Sequence, residues 1–239
     1  MSAGDEPGRT SQLRRKCYIT AMSVSLVIFD LDGTLIDSAA DIADALNAML
    51  GVHGCAPLPL AEVRTMIGDG MRKLVERALL ARALGAVDPA QAERTVLAHY
   101  RAQPVRLTTA YPGTRTALER LRAAGMRLAI CTNKPAQLAE AILARLALSE
   151  FFLHVVGGDS LPYRKPDPRT LQAVLARFAA TPRDALMVGD SEVDAATAAA
   201  AGVPLILMDH GYRRGPLAQM TYRAALAHFD QLPELVQAL

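Results

Sequence analysis

Four short apolar runs, set apart by helix-patterned sequence, limit the folds open to this chain more than any other feature. They are Val24-Ser25-Leu26-Val27-Ile28-Phe29, then Met126 to Cys131, Ala185 to Val188 and Pro204 to Met208, with a weaker run at Phe151 to Val156. A short, mostly apolar run is what a parallel strand covered on both faces requires. Between the later runs, Thr114 to Ala124 places Ala117, Leu118 and Leu121 on one helical face. Ala136 to Leu146 does the same with Leu138, Ile142 and Leu146. Strand alternating with helix predicts an α/β fold built on a doubly wound parallel sheet. The 239 residues, 51% of them hydrophobic, are ample for a buried core.

After the first run the alternation stops. From Asp37 to Thr109 the pattern is helix after helix: Ala39 to Leu50, Leu60 to Ile67, Met71 to Leu84 and Pro89 to Tyr100. Gly51, Gly54, Pro57 and Pro59 break it once, Gly68 and Gly70 again, and Gly85 with Pro89 a third time. The expected organisation is therefore an N-terminal leader over 1–22, a core made of 23–37 and 110–239, and a small helical domain over 38–109 inserted after the first strand. The alanine-rich stretch Ala195 to Ala201 reads as a helix packed tightly on the sheet.

Charge narrows the partners. The formal charge is +2, but the leader carries Arg9, Arg14, Arg15 and Lys16 against Asp5 and Glu6. Removing those four from 26 basic and two from 24 acidic residues leaves 22 of each. So even a balance argues against nucleic acid or an anionic membrane and for a small-molecule ligand. Cys17, Cys55 and Cys131 match neither a disulfide framework nor a zinc site, which fits a reducing cytoplasm. No apolar stretch approaches the roughly 20 residues of a membrane helix. The leader lacks the basic-then-apolar order of a secretion signal and reads as a disordered tail, with Met22 an alternative start. A monomer or homodimer is expected.

Candidate chemistry gathers at the strand ends. Phe29-Asp30-Leu31-Asp32-Gly33-Thr34-Leu35 follows the first run directly, and ligands of open α/β sheets bind at the carboxyl ends of strands. Residues two apart share a side, so Asp30 and Asp32 can face one substrate, and Gly33 permits a sharp turn that brings backbone N–H groups near an anion. Taken alone, this is equally an Asp-Gly turn. The second run ends in Thr132-Asn133, which also reads as a helix N-cap. Lys165 lies between Arg164 and Pro166, where a solvated loop lysine is the ordinary alternative. The run at Ala185 to Val188 ends in Gly189-Asp190-Ser191-Glu192-Val193-Asp194, otherwise a capped helix start. One arrangement accounts for all four: acids from two strands hold a hard cation while a hydroxyl and an ammonium hold an anion beside it. Mg2+ and a phosphoryl group fit that description.

In that order the segments resemble the haloacid dehalogenase superfamily, from about Val24 onward. The resemblance implies that Asp30 is a nucleophile and Asp32 the acid–base group. Mg2+ would be held by Asp30, the Asp32 backbone carbonyl and Asp190, with Asp194 behind them. Thr132, Asn133, Lys165 and Gly33 would serve the phosphoryl group. The second acid, Asp32, separates the superfamily's phosphatases from its dehalogenases.

The helical insert has the position of the family's cap, with Asp37-Ser38 and Thr108 to Gly113 as its hinges. Val63 to Gly70, Lys73 to Leu79 and Asp41 to Asn47 are similar to the cap of bacterial phosphoglycolate phosphatases. The implied substrate is 2-phosphoglycolate, a small phosphorylated metabolite whose carboxylate needs a donor. Gly68 and Gly70 are the candidates through backbone N–H groups, with Arg72 or Lys73 through charge, although a solvated helix face is the plainer reading of those two. Asp69 would repel an anion and is expected to point away. A related phosphatase for a sugar phosphate or pyrophosphate, a mutase, or a binding protein without turnover remain alternatives. His53, His99, His154, His210 and His228 lack metal-ligand spacing and read as structural or surface residues.

Overall fold

The computed structural model describes residues 24–238; the leader, with Cys17 and Met22, lies outside them. Strand β1 (Leu26–Phe29) is followed by a two-residue strand β2 (Ile36–Asp37) and then by four helices, α1 (Ala39–Val52), α2 (Leu60–Met66), α3 (Met71–Ala81) and α4 (Pro89–Ala102). The chain returns through β3 (Thr109–Ala110), which pairs antiparallel with β2. Alternation then resumes with α5 (Thr114–Ala123), β4 (Arg127–Cys131), α6 (Ala136–Arg145), β5 (His154–Val156), α7 (Arg169–Arg177), β6 (Ala185–Gly189), α8 (Glu192–Ala201), β7 (Leu205–Met208), β8 (Ala224–Leu226) and α9 (Leu232–Gln237).

Six strands form one sheet in the order β5-β4-β1-β6-β7-β8, and every pairing in it is parallel. The first strand explains its own composition. Val27 and Phe29 enter the core cluster on one face, and Leu26 and Ile28 enter the cluster on the other, so both sets must be apolar. On the second face Ala195, Ala198 and Ala201 of α8 pack with Leu26, Ile28 and Met187, their small side chains letting the helix lie close to the sheet. On the first face the apolar cluster runs on from Phe29 and Leu31 into Leu46, Met49, Val75 and Val96 of α1, α3 and α4. These three helices are thereby packed over the carboxyl end of β1.

Helix α3 and strand β8 differ from the sequence pattern, as does β5, which begins at His154 rather than Phe151. Helix α3 stops at Ala81 rather than Leu84, because Ala83 turns left-handed at φ 54° and Leu84 N–H closes back on the Leu79 carbonyl at 2.9 Å. Strand β8 has no sequence signal. Ala224-Ala225-Leu226 is too short and too poor in β-branched residues to stand out, and it is a strand because β7 offers an edge to pair with. No helix among the described residues is long and apolar enough to cross a membrane.

Candidate active site

β1 lies between β4 and β6, and the chain runs outward from it in both directions, so its carboxyl end opens at a switch point of the sheet. Asp30 prolongs that strand: its N–H donates to the Val188 carbonyl at 2.9 Å, which holds the backbone in register as the side chain leaves the sheet. The turn that follows needs glycine twice over. Gly33 has φ 87°, and a Cβ there would lie 2.5 Å from Asp190 Oδ2. Asp190 is thereby brought against the turn, where Thr34 Oγ1 donates to its Oδ1 at 2.6 Å and Tyr212 N–H to its Oδ2 at 2.8 Å.

Asp194 stands behind this pair on α8. Its Oδ2 accepts from the N–H groups of Asp190 and Ser191 and from Ser191 Oγ at 2.7 Å, while its Oδ1 accepts from Lys165 Nζ at 2.6 Å. The same ammonium lies 2.9 Å from Asp30 Oδ1. That contact is an ion pair outside hydrogen-bond geometry, so Asp30 Oδ1 is a buried oxygen with no hydrogen bond. Asp30, Asp190 and Asp194 each bring a carboxylate oxygen within 4.8 Å of the others.

Three buried acids against one ammonium leave the cluster short of positive charge. Burial pushes Asp30 up to about 6, with Lys165 pulling it back and Asp194 adding to the rise. Burial, then Asp194 and Asp30, pushes Asp190 well above the usual carboxylate range. Burial works against the Lys165 charge, but Asp194 and Asp30 more than offset it and keep the ammonium protonated. Hard oxygen donors and negative charge in excess of the one ammonium are what a Mg2+ site presents.

Asp30 and Asp32 line one small cavity together with Thr132, Asn133 and Lys134 from the end of β4, beneath Gly68 and Gly70 of the helical segment. The Asn133 side-chain amide and the Gly33 N–H are engaged within the protein. Both N–H directions of the Asn133 side chain are spent on protein, on the carbonyls of Gly68 and Lys165, each at 2.9 Å. Gly33 gives its N–H to the Ile36 carbonyl at 2.9 Å. The Asn133 side chain thus ties loops together and the Gly33 N–H closes a turn.

Arg72 and Lys73 are not brought to this cavity. Arg72 Nε pairs with Glu93 and Lys73 Nζ with Glu76, each at 2.7 Å, and both border a separate open cleft beside Arg164. Asp69 points away as expected, its Oδ2 shared by Arg77 and by Arg214 at 2.8 Å. The loop carrying Arg213-Arg214-Gly215-Pro216 therefore reaches from Glu192, which accepts from Arg214 N–H, across to the helical segment. Cys131 is a core residue whose thiol burial pushes up to about 11. His210 stacks on Tyr111 at 3.9 Å and contacts the Thr34 carbonyl.

One functional candidate escaped the sequence reading. Lys134, 5% exposed, sets its Nζ 2.7 Å and 2.9 Å from the two oxygens of Asp32 and 2.8 Å from the Tyr100 hydroxyl. The two-apart rule that pairs Asp30 with Asp32 also pairs Thr132 with Lys134, and was the available signal.

Comparison with known proteins agrees with this geometry. The sequence model of the haloacid dehalogenase-like hydrolases matches residues 24–202. The phosphoglycolate phosphatase of Cereibacter sphaeroides is 46% identical over 215 residues, covering 89% of this chain and 98% of that protein. That of Rhodospirillum rubrum is 46% identical over 215 residues, covering 87% and 88%. Among solved structures, a predicted phosphoglycolate phosphatase from Haemophilus somnus superposes with a TM-score of 0.86 at 30% identity, over 90% of this chain and 99% of the other.

Proposed function

We propose, from the premise that the chain belongs to the haloacid dehalogenase-like hydrolase family, that it is a phosphomonoester hydrolase acting on 2-phosphoglycolate through a phospho-aspartyl intermediate. The observation that carries the reading is the pairing of Asp30 and Asp32 on one cavity with Lys165 and Asp190 directly behind them. An Asp30 oxygen attacks phosphorus, the bond from phosphorus to the ester oxygen breaks, and Asp32 hands that oxygen a proton. Asp32 then takes a proton from water, whose oxygen attacks phosphorus and releases Asp30 and phosphate. Thr132 and Lys165 orient and neutralise phosphoryl oxygens during both steps.

Asp30, the Asp32 backbone carbonyl and Asp190 would hold Mg2+, and Asp194 would orient Asp190 and Lys165 from behind. When bound, Mg2+ supplies the positive charge that lets a crowded carboxylate approach an anionic phosphoryl group.

The cavity lining supports a short substrate. The cavity is small and partly open to solvent, with Ile42, Ile67, Met71 and Leu74 on its walls. Apolar walls offer no partners to the hydroxyls of a sugar, so a short ester is favoured. The start of α3, with Gly70 as its N-cap, borders the same space and suits a carboxylate there. The helical segment 38–109 acts as a cap closing about the β2–β3 pair.

The test is hydrolysis with Mg2+ across a panel of phosphate esters. Preference for 2-phosphoglycolate in kcat/KM is expected, and equal rates on other small esters would remove the substrate assignment. A preparation inert toward every ester would favour the binding-protein alternative.

A further inference from the structure

We infer that Lys134 is a positioning residue for Asp32, held in place by Tyr100 of α4, so that packing of the helices over the site is what sets the acid–base carboxylate. The inference rests on the phosphatase reading and adds to it two residues that reading does not use.

An ammonium has three N–H donors, and Lys134 spends all three: on Asp32 Oδ1 at 2.7 Å, on Asp32 Oδ2 at 2.9 Å and on the Tyr100 hydroxyl at 2.8 Å. Its Nζ also lies 4.5 Å from the centre of the Tyr100 ring, within cation–π reach. Both side chains are buried, Lys134 at 5% and Tyr100 at 1% exposure. A lysine so enclosed is costly unless it is fully partnered, and one of its partners comes from the helical segment while the other comes from the end of β1.

Among the described residues Asp32 has one other side-chain donor, Ser38 Oγ at 2.5 Å from Oδ1, just before α1. Remove Lys134 and Oδ2 has no side chain to hold it. Proton delivery to a leaving oxygen and removal from water both depend on that carboxylate standing within a fraction of an ångström of its place. Were α4 to lift, Lys134 would lose the hydroxyl and the ring together, and nothing else on α4 hydrogen-bonds its ammonium. Burial pushes Tyr100 up to about 12, so the phenol stays neutral and acts as a fixed dipole rather than a competing anion.

The experiment is a double-mutant cycle on the full-length protein with saturating Mg2+, using 2-phosphoglycolate and p-nitrophenyl phosphate. Lys134→Met is expected to lower kcat about 10- to 100-fold with KM changed less than about threefold, and Tyr100→Phe to lower kcat by about three- to tenfold. Because Tyr100 acts through Lys134, the double variant should be no slower than Lys134→Met alone, and Lys134→Arg should recover part of the loss. A kcat within about twofold of wild type in Lys134→Met, or losses that multiply in the double variant, overturns the inference. If Lys134→Met does not fold, Lys134→Gln takes its place in the cycle. Wild-type protein without turnover would remove the phosphatase reading and this one together, whereas an active wild type with an unaffected Lys134 variant removes this one alone.

Discussion

Asp30 and Asp41 are both buried carboxylates on the same stretch of chain, and they are treated in opposite ways. Asp41 accepts from the N–H groups of Arg106, Leu107 and Thr108 and from the Thr108 hydroxyl at 2.6 Å. Burial works against its charge, but those donors, Thr108 foremost, carry its pKa below the usual carboxylate value. Asp30 has an oxygen with no hydrogen bond and two other carboxylates close by, and burial pushes it up to about 6. A satisfied carboxylate joins parts of the chain, here α1 to the segment entering β3. A carboxylate buried without that set of donors, among other acids, is the mark of a candidate site.

The largest effect that would break this contrast is on turnover. Asp30→Asn should lower phosphate release by about 10³-fold or more, while the metal-free protein melts no lower than wild type because a crowded charge has gone. Activity surviving in that variant would sink the nucleophile assignment. Next comes stability: Asp41→Ala strands several N–H groups and should cost about 3 kcal/mol in urea unfolding. A cost near zero would mean that water replaces the carboxylate.

The pH dependence sharpens the same comparison. Asp30 binds its proton more tightly folded than unfolded, so the stability linked to it is present at low pH and is lost as pH rises toward about 6. Asp41 and Asp37 have lowered values, so the stability they contribute is present above the unfolded carboxylate pKa and is lost as pH falls through the folded one. Mg2+ should therefore raise Tm more at about pH 7.5 than at about pH 5, since a cation relieves charge only where charge exists. Equal shifts at both would place the cation elsewhere. The smallest effect belongs to Arg214→Ala. Its pair with Asp69 is partly exposed and Arg77 remains, so a change below about 1 kcal/mol is expected by thermal melting.

Much of this was legible locally. The strand β1, the turn after it and the capped start of α8 are short-range patterns, in which an apolar run ends at residues able to leave a sheet. Lys134 was passed over because a lysine after Thr132-Asn133 carries no sign of burial; its partners, Asp32 and Tyr100, lie 102 and 34 residues away. For Arg72 and Lys73 the sequence offers a charged donor or, more plainly, a solvated helix face, and the rotation of α3 decides between them. That rotation gives Met71 and Leu74 to the cavity and turns the two cations outward to Glu93 and Glu76.

The amino-acid sequence by itself determined the alternation of strand and helix, the interruption by four helices, and which residue types stand at each strand end. Those depend on periodicity and on neighbours in the chain. Only the tertiary structure decided that β1 lies between β4 and β6, that the Asn133 amide is spent on two loops, and that Asp41 is satisfied where Asp30 is not. Whether a buried polar atom has a partner depends on groups brought together from distant parts of the chain, and no local pattern encodes that.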